Sequence, residues 1–185
     1  KNTQKLASLC YKKLSMSKKN SSVNLKDNLK KFKDLFNIFK HFEKNLNKLK
    51  TKNFLVAVSG GPDSLALTAL TKLYSLENRK KFHYVLINHN IRANSRLEAK
   101  KVKNLLRRFK IKLNIINNTK KITKNIQSEA RKIRYEKLVN FCKKKNINTI
   151  ITAHNLEDQV ETFFMRLSRG SGLHGLSSMR TSNKL

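Results

Sequence analysis

Acid is scarce in this chain. Eleven Asp and Glu stand against 42 Lys and Arg in 185 residues, a formal net charge of +31. Such a balance disfavours a cationic partner and draws polyanions, RNA first among them, in a salt-dependent way. Most of the surplus is Lys, alongside abundant Asn and Ile, the pattern of A- and T-rich coding DNA. Charge alone therefore does not separate RNA recognition from unspecific adhesion. Cysteine is almost absent: Cys10 and Cys142 stand far apart with no CxxC pair, against the usual zinc-ribbon and iron–sulfur spacings. A reducing cytosol is the natural compartment. No stretch approaches the roughly 18 uninterrupted apolar residues of a membrane span, so no membrane partner is expected. No acidic residue precedes Asp27. Residues 1–26 read as a basic, disordered leader of a cytoplasmic protein; a transit segment would favour Arg, and Met16 is an alternative start.

What is present is periodic. Hydrophobic residues make up 38% of the chain and arrive in blocks, enough for one compact domain. Leu29, Phe32, Leu35, Phe36, Phe39, Phe42, Leu46 and Leu49 recur at helical steps, which predicts a helix over 28–49 packing that stripe on the core. Phe54-Leu55-Val56-Ala57-Val58 then reads as a strand buried on both faces. Helices over 64–76, 95–109, 127–145 and 156–168 alternate with further strands over 82–87, 111–116 and 148–152. Four alternations imply an α/β fold: a parallel, Rossmann-like sheet of four or five strands with helices on both faces, plus a helical N-terminal extension. The expected organisation is a leader 1–26, an N-terminal helix 27–50 and a catalytic domain 51–185. No internal repeat is visible.

Ligands of such sheets bind beyond the carboxyl ends of the strands. After the first strand comes Ser59-Gly60-Gly61-Pro62-Asp63-Ser64. Paired glycines permit a tight turn and close approach to a ligand, and Pro62 suits a first helical turn. Backbone N–H groups and the helix dipole would face a phosphate, with Ser59 and Ser64 adding hydroxyls. Asp63 would repel a bare phosphate, which points to Mg²⁺ bridging the two. An ordinary strand–helix turn with an acidic first-turn residue reads similarly. A Walker P-loop is excluded, because no Gly-Lys-Ser/Thr follows.

Three other segments stand out. After the second strand comes Asn88-His89-Asn90-Ile91-Arg92. After the fourth comes Ala153-His154-Asn155-Leu156-Glu157-Asp158-Gln159-Val160-Glu161-Thr162, holding three of the eleven acids. On a helix His154, Asp158 and Glu161 share a face, although helix N-termini attract carboxylates anyway. Arg166-Leu167-Ser168-Arg169-Gly170-Ser171-Gly172-Leu173-His174-Gly175-Leu176 holds three of the five glycines and reads equally as an anion-binding loop or a helix C-cap with a flexible turn. Ser128-Glu129-Ala130-Arg131-Lys132-Ile133-Arg134-Tyr135 puts Arg131 and Arg134 on one helical face, which by itself is an ordinary solvated basic helix.

The loop 59–64 resembles the PP-loop of N-type ATP pyrophosphatases. Together the five segments, in this order over about residues 50–180, resemble the tRNA(Ile)-lysidine synthetases. That family carries Ser-Gly-Gly-x-Asp-Ser, Asp/Asn-His-x-Leu/Ile-Arg, Glu-Ala-Arg-x-x-Arg-Tyr, Ala-His-x-x-x-Asp-Gln-x-Glu-Thr and Arg-Gly-Ser-Gly-Leu-x-Gly-Leu. Leu156-Glu157 departs from the small residues and Asp commoner there. The family normally continues into C-terminal tRNA-binding domains, so a sequence ending at Leu185 reads as a fragment or truncated form, and the family's leader is shorter than 1–49.

The resemblance implies an adenine nucleotide alpha hydrolase-like fold and a ligase that uses ATP, Mg²⁺, L-lysine and a tRNA(Ile) with a CAU anticodon. ATP adenylates C2–O of the wobble cytidine, and the lysine side-chain amine then displaces AMP. By the same resemblance Ser59, Gly60, Gly61, Pro62, Asp63, Ser64, His89, Arg169, Gly170, Ser171 and Gly172 bind ATP. Asp63, Asp158, Glu161 and either Arg131 or Arg134 are catalytic, with Asp63 and Asp158 as Mg²⁺ ligands. Arg92, His154 and Arg166 contact RNA. A homodimer is compatible with the sequence, which does not fix the oligomeric state. The rivals are a tRNA thiolase, many of which need cysteine clusters; a small-molecule amidating ligase, which would not need tRNA to release pyrophosphate; and a non-enzymatic basic RNA-binding module, which would bind no ATP.

Overall fold

The computed structural model describes residues 33–120, 122 and 125–154. Two compact units are present, Lys1–Thr152 and Ala153–Leu185, and of the second only Ala153 and His154 are described. In the first unit the order is α1 (Lys33–Asn47), β1 (Asn53–Ala57), α2 (Pro62–Glu77), β2 (Lys81–Asn88), α3 (Ser95–Arg107), β3 (Leu113–Asn117), α4 (Ile126–Lys145) and β4 (Ile150–Ile151). The strands form one parallel sheet in the order β3-β2-β1-β4. The α/β class, the parallel sheet and its alternation with helices are as the sequence implied. The expected leader 1–26 and the expected helix 156–168 lie outside the described residues.

Strand periodicity sorts the apolar side chains into two layers. Neighbouring residues of a strand point to opposite faces. Phe54 and Val56 of β1, Tyr84 and Leu86 of β2 and Leu113 of β3 therefore enter one core, with Phe39 and Leu46 of α1, Ala66, Ala69, Leu70, Leu73 and Tyr74 of α2, and Ala99 and Leu106 of α3. Leu55 and Val85 face the other way and meet Leu138 and Cys142 of α4 and Ile147. This is why β1 reads as an unbroken apolar run: both of its faces are covered.

α1 belongs to the larger core. Its stripe behaves as expected at Phe39 and Leu46, whereas Leu49 falls beyond the helix end and is exposed. Lys80 fastens that end: its Nζ donates to Leu46 O at 2.7 Å and Leu49 O at 3.0 Å. The same ammonium lies 5.5 Å from the centroid of Phe54 and 5.8 Å from that of Tyr74. Tyr74 Oη in turn donates to Asn47 Oδ1 at 2.6 Å.

Several boundaries differ from the sequence reading. Helix α3 stops at Arg107 rather than 109. Lys110 then turns left-handed at φ 56°, and Ile111 N–H bonds back to Leu106 O at 3.1 Å. This is a Schellman-type stop with Lys in the place usually taken by Gly. Ile111 is buried as a cap residue, so β3 begins later, at Leu113. Asn146 (φ 51°) and Ile147, whose N–H reaches Cys142 O at 3.0 Å, end α4 in the same manner. β4 is only two residues long, although Thr149 O still accepts Leu55 N–H at 2.9 Å.

Candidate active site at the carboxyl end of the sheet

β1 is central and ends where the chain order reverses, between β2 and β4. Open parallel sheets place their ligands at such a point. The loop 59–64 leaves β1 there. Val58 N–H still bonds Val85 O at 2.8 Å, and the backbone then breaks into the turn. Gly60 takes φ 88°, and a Cβ on it would lie 2.9 Å from Val102 Cγ2 of α3. Conformation and space both demand glycine here. Pro62 opens α2, and the first ladder bond runs from Leu65 N–H to Gly61 O at 3.0 Å.

The loop is organised by one hydroxyl. Ser64 is buried, and its Oγ accepts from Ser59 N–H at 3.2 Å, Gly60 N–H at 3.1 Å and Ser59 Oγ at 3.1 Å. It donates to Gly61 O at 3.0 Å. Gly61 N–H reaches Ser59 Oγ at 3.4 Å. The two serines expected as outward-facing donors thus serve the loop itself, and hold its N–H groups converged on one oxygen. Asp63 is in the first turn of α2, half-buried, on the side of favourable helix dipole.

Beside the loop, β2 ends at Asn88 and is followed by His89. The imidazole Nδ1 is buried with no hydrogen-bond partner among the described residues. Burial, and then the charges of Arg134 and Lys137 on α4, push His89 below the usual histidine range. Arg134 is half-buried and Arg131 exposed, and each guanidinium lies over the Tyr135 ring, at 5.7 and 5.6 Å. Of the two arginines it is Arg134 whose charge bears on His89. Arg92 is exposed in the turn before α3, its carbonyl accepting Ser95 N–H at 3.1 Å. His154 is exposed and belongs to the second unit. Asp158, Glu161, Arg166, Arg169, Gly170, Ser171 and Gly172 lie outside the described residues.

The sequence reading overlooked an asparagine cluster at the ends of β2 and β3. Asn88 Nδ2 donates to Asn90 Oδ1 and to Asn117 Oδ1, both at 3.0 Å. Asn90 N–H returns to Asn88 Oδ1 at 3.1 Å, and Asn90 Nδ2 reaches Asn118 O at 2.7 Å. Asn118 N–H donates to Asn88 O at 2.7 Å, while its side chain brackets Lys120 through bonds of 2.7 and 3.1 Å. The signal, Asn at the close of two neighbouring strands, was present but hidden by the general abundance of Asn.

A family model described as a PP-loop domain matches residues 35–185. The chain belongs to the PP-loop family. ATP binding is what that membership implies. Among relatives of this PP-loop chain, a tRNA(Ile)-lysidine synthase of Orientia tsutsugamushi (strain Boryong) is 43% identical over 124 residues, 66% of this chain and 28% of the relative. Proteins of the same name from Wolbachia pipientis wMel and Rickettsia typhi are 42% and 35% identical, over 67% and 76% of this chain and 30% and 34% of their own. The chain thus spans about a third of the length of these curated relatives. The U34-tRNA thiolase NcsA from Methanococcus maripaludis, solved with its iron–sulfur cluster, matches at a TM-score of 0.60 and 20% identity, over 72% of this chain and 52% of that one. That likeness supports the fold alone.

Proposed function

We propose that the chain carries the ATP-pyrophosphatase part of a tRNA(Ile)-lysidine synthetase. In this reading it catalyses adenylation of the wobble cytidine of a CAU-anticodon tRNA(Ile) and attack by L-lysine, releasing pyrophosphate and AMP, in the cytoplasm. The observation that carries it is the glycine turn of 59–64, set at the switch point of the sheet with Asp63 in the first turn of the helix it opens, in a chain whose relatives bear that name.

A cytidine carbonyl carbon is a poor electrophile until its oxygen becomes a leaving group. The C2 oxygen attacks the α-phosphorus of ATP and pyrophosphate departs; the lysine ε-amine then adds to C2 and AMP leaves with the oxygen. The N–H groups of Ser59 and Gly60, already converged on Ser64 Oγ, would transfer to phosphate oxygens. Arg134, with Arg131 as the outer partner, would neutralise charge developing on the phosphates. His89, Arg169, Gly170, Ser171 and Gly172 would bind the nucleotide. Asp158 and Glu161 would hold and deprotonate the lysine amine; Arg92, His154 and Arg166 would contact RNA.

Asp63 would hold Mg²⁺: it lies in the first turn of the helix that the loop opens, and Mg²⁺ commonly takes one or two protein carboxylates together with phosphates and waters. Asp158 would be the second. When bound, the ion supplies charge neutralisation at the phosphates. A homodimer remains part of the proposal, checked by light scattering.

The test is incubation with ATP, radiolabelled lysine and a CAU-anticodon tRNA(Ile), scoring lysine in the RNA and AMP in solution. Asp63→Ala should abolish AMP formation while RNA affinity stays within about twofold. AMP formation undiminished in that variant removes the assignment. Pyrophosphate release without tRNA would instead favour a small-molecule ligase.

A further inference from the structure

His89 stands between two residues that are both locked. On one side Asn88 is buried and spends its side chain on Asn90 and Asn117. On the other Asn90 adopts φ 54°, in the left-handed region, and ties both ends of its amide: Oδ1 to Asn88 Nδ2, Nδ2 to Asn118 O at 2.7 Å. Arg96 Nε of α3 approaches the same Oδ1 at 3.5 Å. Asn118, also buried, closes the set through its N–H to Asn88 O. Each amide in this ring has a partner. The one buried side-chain atom without a partner among the described residues is His89 Nδ1, in the middle.

A turn this heavily bonded is more than the end of a strand requires. Left-handed backbone in a non-glycine residue costs energy and persists where surrounding contacts over-determine it. A buried polar atom with no partner also costs about 1–3 kcal/mol, and in a native protein calls for an explanation such as a bound ligand. We propose that Asn88, Asn90 and Asn118 are positioning residues that hold His89 so that the accessible edge of its half-buried imidazole meets the ATP nucleotide. This rests on the nucleotide-binding reading above and adds to it the device that sets the histidine. The charged groups acting on His89 from α4 are Arg134 and Lys137, so the imidazole stands neutral beside two cations that suit an anionic ligand.

Two readouts test it on the full chain. The first needs no ligand: NMR titration of the imidazoles, with His89→Ala identifying the resonance. Asn90→Gly keeps the left-handed turn, which glycine tolerates, and removes only the amide. If the ring of asparagines holds His89 in place, its midpoint in Asn90→Gly moves up toward the ordinary value of about 6.5; an unmoved midpoint overturns the positioning role. The second is calorimetric titration with ATP. Asn90→Gly and His89→Ala should each raise Kd about 5- to 10-fold, and the double variant should be no weaker than His89→Ala alone within about twofold, because both act through one contact. Multiplying losses in the double variant also overturn the proposal. A wild-type chain that does not bind ATP removes the nucleotide reading instead, while the NMR result still decides what Asn90 does for His89.

Discussion

Ser64 illustrates how much one atom can organise. Its oxygen receives two backbone N–H groups and one hydroxyl and returns a proton to Gly61 O. Ser64→Ala leaves those loop donors unsatisfied and should destabilise the fold by about 1–3 kcal/mol, read by urea denaturation. Gly60→Ala meets both the positive φ and Val102, for a loss of about 1–3 kcal/mol in the same assay. The sequence declared the loop, because paired glycines after a strand have few other uses. It did not declare that the serine hydroxyls turn inward, since a hydroxyl's direction depends on backbone that only the folded turn provides. Two histidines give a pH effect. Burial lowers both His83 and His89, with Lys81 and Lys145 adding to the first and Arg134 and Lys137 to the second. A depressed folded value means the unfolded chain binds protons first. Their contribution is therefore intact above about pH 6.5 and is lost as pH falls through the lower folded value. The Tm should decline below about pH 6.5, and His83→Phe, which keeps a ring against Phe141, should shallow that decline.

At the level of elements, α1 shows what a stripe of aromatics means. Phe39 and Leu46 enter the core shared by α2 and the sheet, and Lys80 caps the helix through two carbonyls. Leu46→Ala should cost about 2–5 kcal/mol in denaturant. Lys80→Met keeps the aliphatic stem but loses both carbonyl bonds, and should cost about 1–3 kcal/mol; a loss below about 0.3 kcal/mol would show that the clamp contributes nothing. Helix and strand types were legible because their apolar periods differ. The stops were less so. In a chain with five glycines, left-handed positions pass to Asn90, Lys110, Asn125 and Asn146, and neither Lys nor Asn announces a turn as Gly does. Hence α3 was expected to run through its own cap, and Ile111 to belong to a strand. β4 was overextended for another reason: its apolar run fills a core, but only two residues pair with β1.

For the molecule as a whole, charge is unevenly read from composition. From Ala99 to Ser128 there is no acidic residue, and α3 with its following turn presents Lys101, Lys103, Arg107 and Arg108 to solvent. On the proposed reading, replacing Lys101 and Arg108 with Glu should weaken tRNA binding and lower the slope of log K against log salt by about 1–2, measured by filter binding across salt concentrations. An unchanged slope would mean that RNA avoids this face. The division into two apolar layers was implicit in the β1 pattern, whereas the strand order could not be read from local sequence. That order has a consequence in time. β1 is bonded on both edges and packed on both faces, with Leu55 and Val58 amides closed onto Thr149 and Val85. Amide protons there should be among the last to exchange with deuterated water, released only by opening of the whole unit. The phosphate-loop candidate hangs directly from this slowest part of the chain, so whatever seizes the loop pulls on a strand that the rest of the first unit must unfold to release.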